Sequence, residues 1–280
     1  MKVFILALDA LEYDFVEKWD LKYLKQKVYG RIELGERYNP SWGDEPYTPI
    51  VFHSFISGLP PEKHKIESVA TYGRTLDFLR KLMKFIPNKR KIARIFGITP
   101  KALTREHYEH KTIFDEVSPS LAIDVPTYNL EIKDWRMDWK AINKQTINTI
   151  WAAYQRRKRR ILDALKNKHK WKLCMAYIRI ADLLGHIYIT KKTLKLMNCY
   201  LELNSLARNI QKLLPKNSIL LIMSDHGMEP SADGVTGRHS KHAFWSLNID
   251  TDWRPKDITD FYPKIIEWTK AETTKQFQVK

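Results

Sequence analysis

Short apolar runs alternate along this chain with longer stretches in which apolar and charged residues recur at helical spacing. Val3–Leu8, Leu121–Val125, Leu173–Ile180 and Ile219–Met223 are short apolar runs bounded by polar or turn residues, the pattern of strands buried on both faces in a parallel sheet. Between them, Trp139–Lys168 and Lys191–Leu214 carry the helical period. Phe244–Ile249 adds a late strand and Asp260–Lys270 a closing helix. Strands alternating with helices predict an α/β domain on a central, mostly parallel sheet flanked by helices. A chain of 280 residues fits one such domain over 1–280, or a core with a small insert.

The strand ends carry the chemistry. Asp9 closes the first run, Asp182 and His186 follow the third in IADLLGHIY (Ile180–Tyr188), and Asp225 and His226 close the fourth in IMSDHGME (Ile222–Glu229). Both stretches read as strand-like segments running into an Asp/His pair, although strand interiors disfavour Asp. Ligands bind at the carboxyl ends of the strands of such sheets. A lone Asp there caps a neighbouring loop often enough; three strands delivering Asp or His to one edge point to a shared site, and carboxylate beside imidazole suits a metal.

The segment Pro46–Ile66 (PYTPIVFHSFISGLPPEKHKI) predicts a short helix beginning near Thr48 and ended by Gly58. Thr is a good N-cap and Pro suits the first turn. A hydroxyl there also faces free backbone N–H groups and the positive end of the helix dipole, which stabilise an alkoxide or a phosphoryl oxygen. Thr48 can therefore serve as cap and as nucleophile.

Charge alters this picture modestly. A net charge of +16 attracts anions, from phosphate esters to nucleic acid, without requiring a polyanionic partner, and abundant Lys, Arg and Glu also suit a thermophile's surface. The region Arg74–Lys111 holds eleven Lys/Arg against three Asp/Glu and reads as a basic helical lid or cap inserted over residues 72–112, or as a solvated basic face. Arg156–Arg160 (RRKRR) reads as a solvated helical face, with an anion-binding patch as the alternative. Cys174 and Cys199 read as small packed hydrophobes, not as a disulfide framework or a Cys-based zinc site. A mean hydropathy of −0.45 and no membrane-length apolar run argue against a membrane protein, and the N-terminal run reads as a strand, so a cytoplasmic location is expected.

Five segments, LDALEYDF, YTPIVFHSFISGLPPEKHKI, ADLLGH, SDHGM and GRHSKHAFWSLN, stand in this order and span Asp9 to Asn248. Together they resemble the alkaline phosphatase superfamily, and most closely its type I phosphodiesterase/nucleotide pyrophosphatase branch. SDHGM alone is moderately specific and DxxGH weakly so; the ordered set is specific. The resemblance implies a doubly wound α/β fold and a hydrolase of phosphodiesters or nucleotide-like pyrophosphates using two divalent ions, usually Zn2+, with Mn2+ or another divalent ion as the alternative. It assigns one ion to Asp182, His186 and a distal histidine. His239 is preferred to His242 because it follows a glycine-containing loop and precedes a hydroxyl residue. The second ion falls to Asp9, Asp225, His226 and the oxygen of Thr48, the nucleophile that would become a phospho-threonine.

Asn three residues after the nucleophile binds the phosphoryl oxygen in that branch. Val51 stands there in this chain, so a backbone N–H or a cation of the basic insert has to substitute. Tyr128 and Asn129, in DVPTYN after a predicted strand, are candidate substrate contacts, a plain turn being the alternative. The expected partner is a small anionic phosphate ester. Alternatives are a phosphomonoesterase or phosphonate hydrolase of the same superfamily, or a basic nucleic-acid-binding protein on a degenerate phosphatase scaffold, which would have lost metal ligands. A sulfatase is disfavoured because the Cys-x-Pro-x-Arg motif is absent. A cofactor-independent phosphoglycerate mutase is disfavoured because it uses a Ser nucleophile and carries a large inserted domain.

Overall fold

The computed structural model describes residues 1–72, 99–135 and 142–271. At its centre is a six-stranded sheet formed by β1 (Lys2–Leu8), β2 (Val28–Glu33), β3 (Ser120–Ile123), β4 (Leu173–Ile178), β5 (Ser218–Met223) and β8 (His242–Leu247). Their order across the sheet is β2-β8-β5-β1-β4-β3. β1 pairs in parallel with both β4 and β5, and β3 in parallel with β4. β8 runs antiparallel to β5 and to the edge strand β2. A small hairpin of β6 (Gly227–Pro230) and β7 (Gly237–Ser240) stands apart from the main sheet.

The helices that bear on the site are α1 (Thr48–Ser57), α2 (Lys144–Lys166), α3 (Ile180–Tyr188), α4 (Thr193–Leu213) and α5 (Phe261–Lys270). Alternation along β1 separates two cores. Phe4, Leu6 and Leu8 join α2, α3 and α4 through Tyr154, Ile161, Leu184 and Leu203. Val3, Ile5 and Ala7 join α1 and α5 through Phe52, Phe55, Phe261 and Ile265. The sheet is thus covered on both faces, and every interior residue of its central strand is buried, which is why this strand reads as continuous apolar sequence.

The expected strands and the three long helical segments are found with shifted ends. β2 was not anticipated: VYGRIE is a half-exposed edge strand with only Ile32 buried, so its apolar content is low. One reading is corrected. Ile180–Tyr188 is a helix, and the preceding strand stops at Ile178. Nine apolar-rich residues fit either period, and as a helix the segment carries Asp182 and His186, four apart, on one face.

The Arg156–Arg160 run is not wholly solvated. Arg157 is buried and its Nε donates to Asp124 at 2.9 Å, Arg160 pairs with the same carboxylate, and Lys158 donates to Glu202 at 2.6 Å. Cys174 and Cys199 are fully buried. Most of the basic region lies outside the described residues. Of the part described, Lys101–Ala102 pairs with Ala70–Thr71, Arg105 binds Asp115 at 2.9 Å and Lys111 lies 3.1 Å from Glu116. Among the described residues no helix is long and apolar enough to cross a membrane.

α1 is buried along its whole length. It ends at Gly58, whose φ of 67° favours glycine, and a Cβ there would sit 2.7 Å from the Tyr262 ring. Its inner face carries His53, whose Nδ1–H donates to Thr127 Oγ1 at 2.9 Å while that hydroxyl donates to the Pro126 carbonyl at 2.6 Å. His53 Nε2 meets His110 Nε2 at 2.6 Å. His64 accepts from the Ile66 N–H at Nδ1 (3.0 Å) and so donates from Nε2 to Ser54 Oγ (3.0 Å).

Burial pushes His53 well below the ordinary imidazole range, with His64 and His110 adding to it, and burial likewise takes His64 down to about 4. These rings are neutral in the fold and protonated in the unfolded chain below its ordinary pKa of 6.5, so the folded state loses stability as pH falls from about 6.5 towards 4. Each such histidine contributes a slope of up to about 1.4 kcal/mol per pH unit. Denaturant titrations between pH 7 and 4.5 should show a shallower loss for His64→Gln than for the wild type; identical slopes would mean that His64 does not take part.

Candidate two-metal active site

The site lies at the carboxyl edge of β1, β4 and β5. Asp9 follows β1, and its backbone N–H donates to Ile178 O at 2.9 Å. The next residue, Ala10, has φ of 56°, a strained left-handed conformation that turns the chain sharply beyond Asp9. Asp225 and His226 follow β5, and Asp225 Oδ1 accepts the Ala10 N–H at 3.3 Å, tying the two strand ends together. Thr48 opens α1. It is the first helical residue and not the cap: Tyr47 occupies the cap position and no side-chain capping bond forms. The hydroxyl is turned instead towards the strand ends, 3.2 Å from His226 Nε2 and 3.5 Å from Asp9 Oδ1.

His226 Nε2 also lies 3.2 Å from Asp225 Oδ2 and 3.4 Å from Asp9 Oδ1. Asp9, Asp225, His226 and Thr48 therefore form one cluster. The second consists of Asp182, His186 and His239. His186 Nε2 is 3.0 Å from Asp182 Oδ1, and His239 Nε2 is 3.2 Å from His186 Nε2 and 3.5 Å from Asp182 Oδ1. The stacked rings of His226 and His239, with centroids 3.7 Å apart, join the clusters. α3 and β7 can approach this closely because of glycine: a Cβ on Gly237 would lie 2.9 Å from the Gly185 carbonyl oxygen and 2.7 Å from Met228 Sδ.

Two observations test whether divalent cations fit here. Each histidine directs Nδ1 at a backbone carbonyl: His186 at Gly237 (2.7 Å), His239 at Pro46 (2.8 Å) and His226 at Gly227 (3.0 Å). A carbonyl only accepts, so Nδ1 carries the proton and Nε2 is the electron-pair donor facing the carboxylates. Further, the buried Asp182 Oδ1 and Asp225 Oδ2 face Nε2 of His186 (3.0 Å) and of His226 (3.2 Å); in that tautomer neither nitrogen donates, and the oxygens are left without a hydrogen bond, which is costly unless something else satisfies them. Each cluster holds three protein groups whose ligand atoms lie within 4.8 Å of one another. The donor set, imidazole and carboxylate, suits zinc or a similar ion.

Without a cation these groups divide the protons unevenly. Burial, then Asp225 and Asp182, push Asp9 well above the usual carboxylate range. Burial opposes the charge on Asp182, but His186 and Arg179 hold it well below that range. Burial would depress His226, yet Asp225, Asp9 and Asp182 outweigh it and raise it to about 10.

The sequence reading missed the surrounding groups. The Tyr177 hydroxyl donates to Asp9. Glu12, buried, accepts from Met228 N (2.8 Å), Ser240 Oγ (2.9 Å) and His242 Nε2 (2.6 Å), locking the loop after β5 onto the loop after β1. His242 is thereby engaged away from the second cluster. Arg179 lies between the clusters and beside Trp135. A cleft of about 750 Å³ opens on the site, its walls including Trp42, Tyr47, Trp135, Arg179, His186 and His239. Asn129 is spent on its own turn, accepting from Val125 N and donating to Ala122 O, and the Tyr128 ring packs 4.4 Å from that of Phe114; neither lines the cleft.

The model of the type I phosphodiesterase/nucleotide pyrophosphatase family matches residues 44–278. The chain belongs to that family. The matched span includes Thr48 and every second-cluster residue, while Asp9 precedes it. Among solved structures the chain is similar to murine ectonucleotide pyrophosphatase/phosphodiesterase 5 (15% identity, TM-score 0.54) and to the human protein of that name (16%, 0.52). It is also similar to an inactive variant of the murine protein in complex with AMP (14%, 0.50). Each similarity covers 83% of this chain and 59% of the other, so the chain spans about three fifths of their length. At this identity they establish the doubly wound fold. No curated protein matches the sequence significantly.

If cations displace the protons of these clusters, their binding must release protons. Calorimetric zinc titrations of chelator-treated protein should give about two ions per chain and a heat that varies with the buffer's ionisation enthalpy; Asp225→Asn should take up about one. Less than one ion bound, or a buffer-independent heat, would contradict the assignment.

Proposed function

We propose that this protein is a metal-dependent phosphoryl-transfer hydrolase of phosphodiesters or nucleotide-like pyrophosphates, with Thr48 as nucleophile. The observation that carries the reading is the placement of Thr48 Oγ1 at the N-terminus of a ten-residue helix, within 3.5 Å of Asp9 Oδ1 and 3.2 Å of His226 Nε2. The hydroxyl is free of capping duty, and the helix dipole and the unshared N–H groups of the first turn favour negative charge beside it.

Asp9, Asp225 and His226 would hold one ion and Asp182, His186 and His239 the other, most simply as zinc. When bound, such ions supply positive charge that acidifies the hydroxyl and neutralises a leaving oxygen. Thr48 Oγ1, its proton lost to solvent, then attacks phosphorus as the ester bond breaks and the leaving oxygen departs with the bonding pair to take up a proton; water subsequently cleaves the phospho-threonine, releasing the phosphoryl product and restoring the hydroxyl. The carbonyls of Gly237, Pro46 and Gly227 keep the imidazoles oriented, and Glu12 keeps the two strand-end loops in register. AMP in the murine relative supports a nucleotide-like substrate class, as does an aromatic-walled cleft. Complete ligand sets in both clusters argue against a binding protein on a degenerate scaffold.

Thr48→Ala should abolish diester turnover, by at least about a thousandfold in kcat, while metal content and Tm change little, because no side-chain cap is lost. Thr48→Ser should retain part of the activity. Substantial turnover by a fully metallated Thr48→Ala protein would show that water attacks phosphorus directly.

A further inference from the structure

Val51, one turn into α1 after Thr48, is apolar and fully buried, so its side chain offers the site no donor. Arg179 is the one Lys or Arg lining the cleft among the described residues. It stands at the junction of β4 and α3, one turn before Asp182. Its Nε donates to Asp182 Oδ2 at 3.0 Å and lies 3.6 Å from Asp9 Oδ2, so it spans the two clusters. The guanidinium lies 4.2 Å from the centroid of the Trp135 ring, and Nη1 donates to the Trp135 carbonyl at 2.7 Å. Stacking and a carbonyl on one side, and a carboxylate on the other, fix the plane of the group.

A guanidinium has five N–H donors. Two are committed here, one from Nε and one from Nη1; both on Nη2 and the second on Nη1 have no protein partner among the described residues. This is an unusual expense of donors for a residue only 12% exposed, unless something else accepts them. A fixed fork of unspent donors between two cation sites matches the spacing of two oxygens on one phosphorus.

We propose that Arg179 binds the non-bridging oxygens of the substrate's phosphoryl group, with Trp135 as the platform that holds it. The proposal rests on the phosphoryl-transfer reading above. It predicts that charge alone does not suffice: lysine at this position keeps the cation but neither the fork nor the stacking. Its counterpart is a purely structural role, in which Arg179 only offsets the charges of Asp9 and Asp182.

The experiment is calorimetric binding of inorganic phosphate to zinc-loaded protein, with metal content measured on the same samples. Arg179→Lys and Arg179→Gln should retain the wild-type zinc content and weaken phosphate binding by roughly 10- to 100-fold, the range of a lost charge-assisted hydrogen bond. Trp135→Leu should weaken it by a smaller factor with zinc content unchanged. Phosphate affinity equal to wild type in both Arg179 variants, or zinc loss that accounts for the weakened binding, would overturn the proposal. Because the readout is binding, it does not depend on Thr48. If the wild type fails to cleave diesters yet phosphate binding still falls in the Arg179 variants, the clamp stands and the reaction assignment falls.

Discussion

The arrangement depends on one electrostatic constraint: three carboxylates are buried at one sheet edge, Asp9 and Asp225 in one cluster and Asp182 in the next, with Arg179 reaching from Asp182 to Asp9. Taking such charges out of water costs several kcal/mol each, and mutual repulsion adds to it. One guanidinium and a tyrosine hydroxyl offset part of this. The remainder falls to whatever the inward Nε2 atoms of His186, His226 and His239 share with those carboxylates. A metal-ligating set accounts for both the carboxylate crowding and the imidazole orientation: with Nδ1 held on a carbonyl, each neutral imidazole turns Nε2, an acceptor, towards the buried carboxylate oxygens.

The scaffold is organised to sustain that crowding. The sheet brings the ends of β1 and β5 side by side, and the Ala10–Asp225 bond fixes their spacing. α3 adds Asp182 and His186 on one helical face, and β7 adds His239 through a close approach that needs glycine at 237. Glu12 sits behind all of this as a hub: although burial would raise its pKa, His242 and the N–H groups it accepts hold it below the ordinary value, so it stays a charged acceptor for both loops. These contacts fix side-chain position to the tolerance that a charge-driven reaction needs.

Much of the fold was legible because its strands are buried on both faces and therefore apolar without alternation. The edge strand Val28–Glu33 was not, since its outer positions are polar and exposed. The candidate ligand residues stood out in the sequence because Asp and His beside apolar runs are chemically conspicuous, and the fold gathers them into two clusters. The nature of the segment bearing Asp182 and His186 was misread, because a nine-residue apolar stretch does not distinguish a strand from a helix; only the i, i+4 spacing of the pair hinted at it. Arg179 and Glu12 escaped notice for a different reason. Each is a single charged residue beside a motif, and what marks it as important is burial, which sequence does not display. Tyr128 and Asn129 follow a strand, but Asn129 is used by its own turn and the Tyr128 ring packs on Phe114.

The most direct test of the two-cation account is anomalous diffraction from crystals grown with zinc, with data collected on both sides of the zinc absorption edge. The account predicts two peaks. One should be bounded by Asp9, Asp225, His226 and Thr48 and the other by Asp182, His186 and His239, each with histidine Nε2 at about 2.0–2.1 Å from the metal. A map with no peak in either cluster, or with a histidine bound through Nδ1, would contradict it.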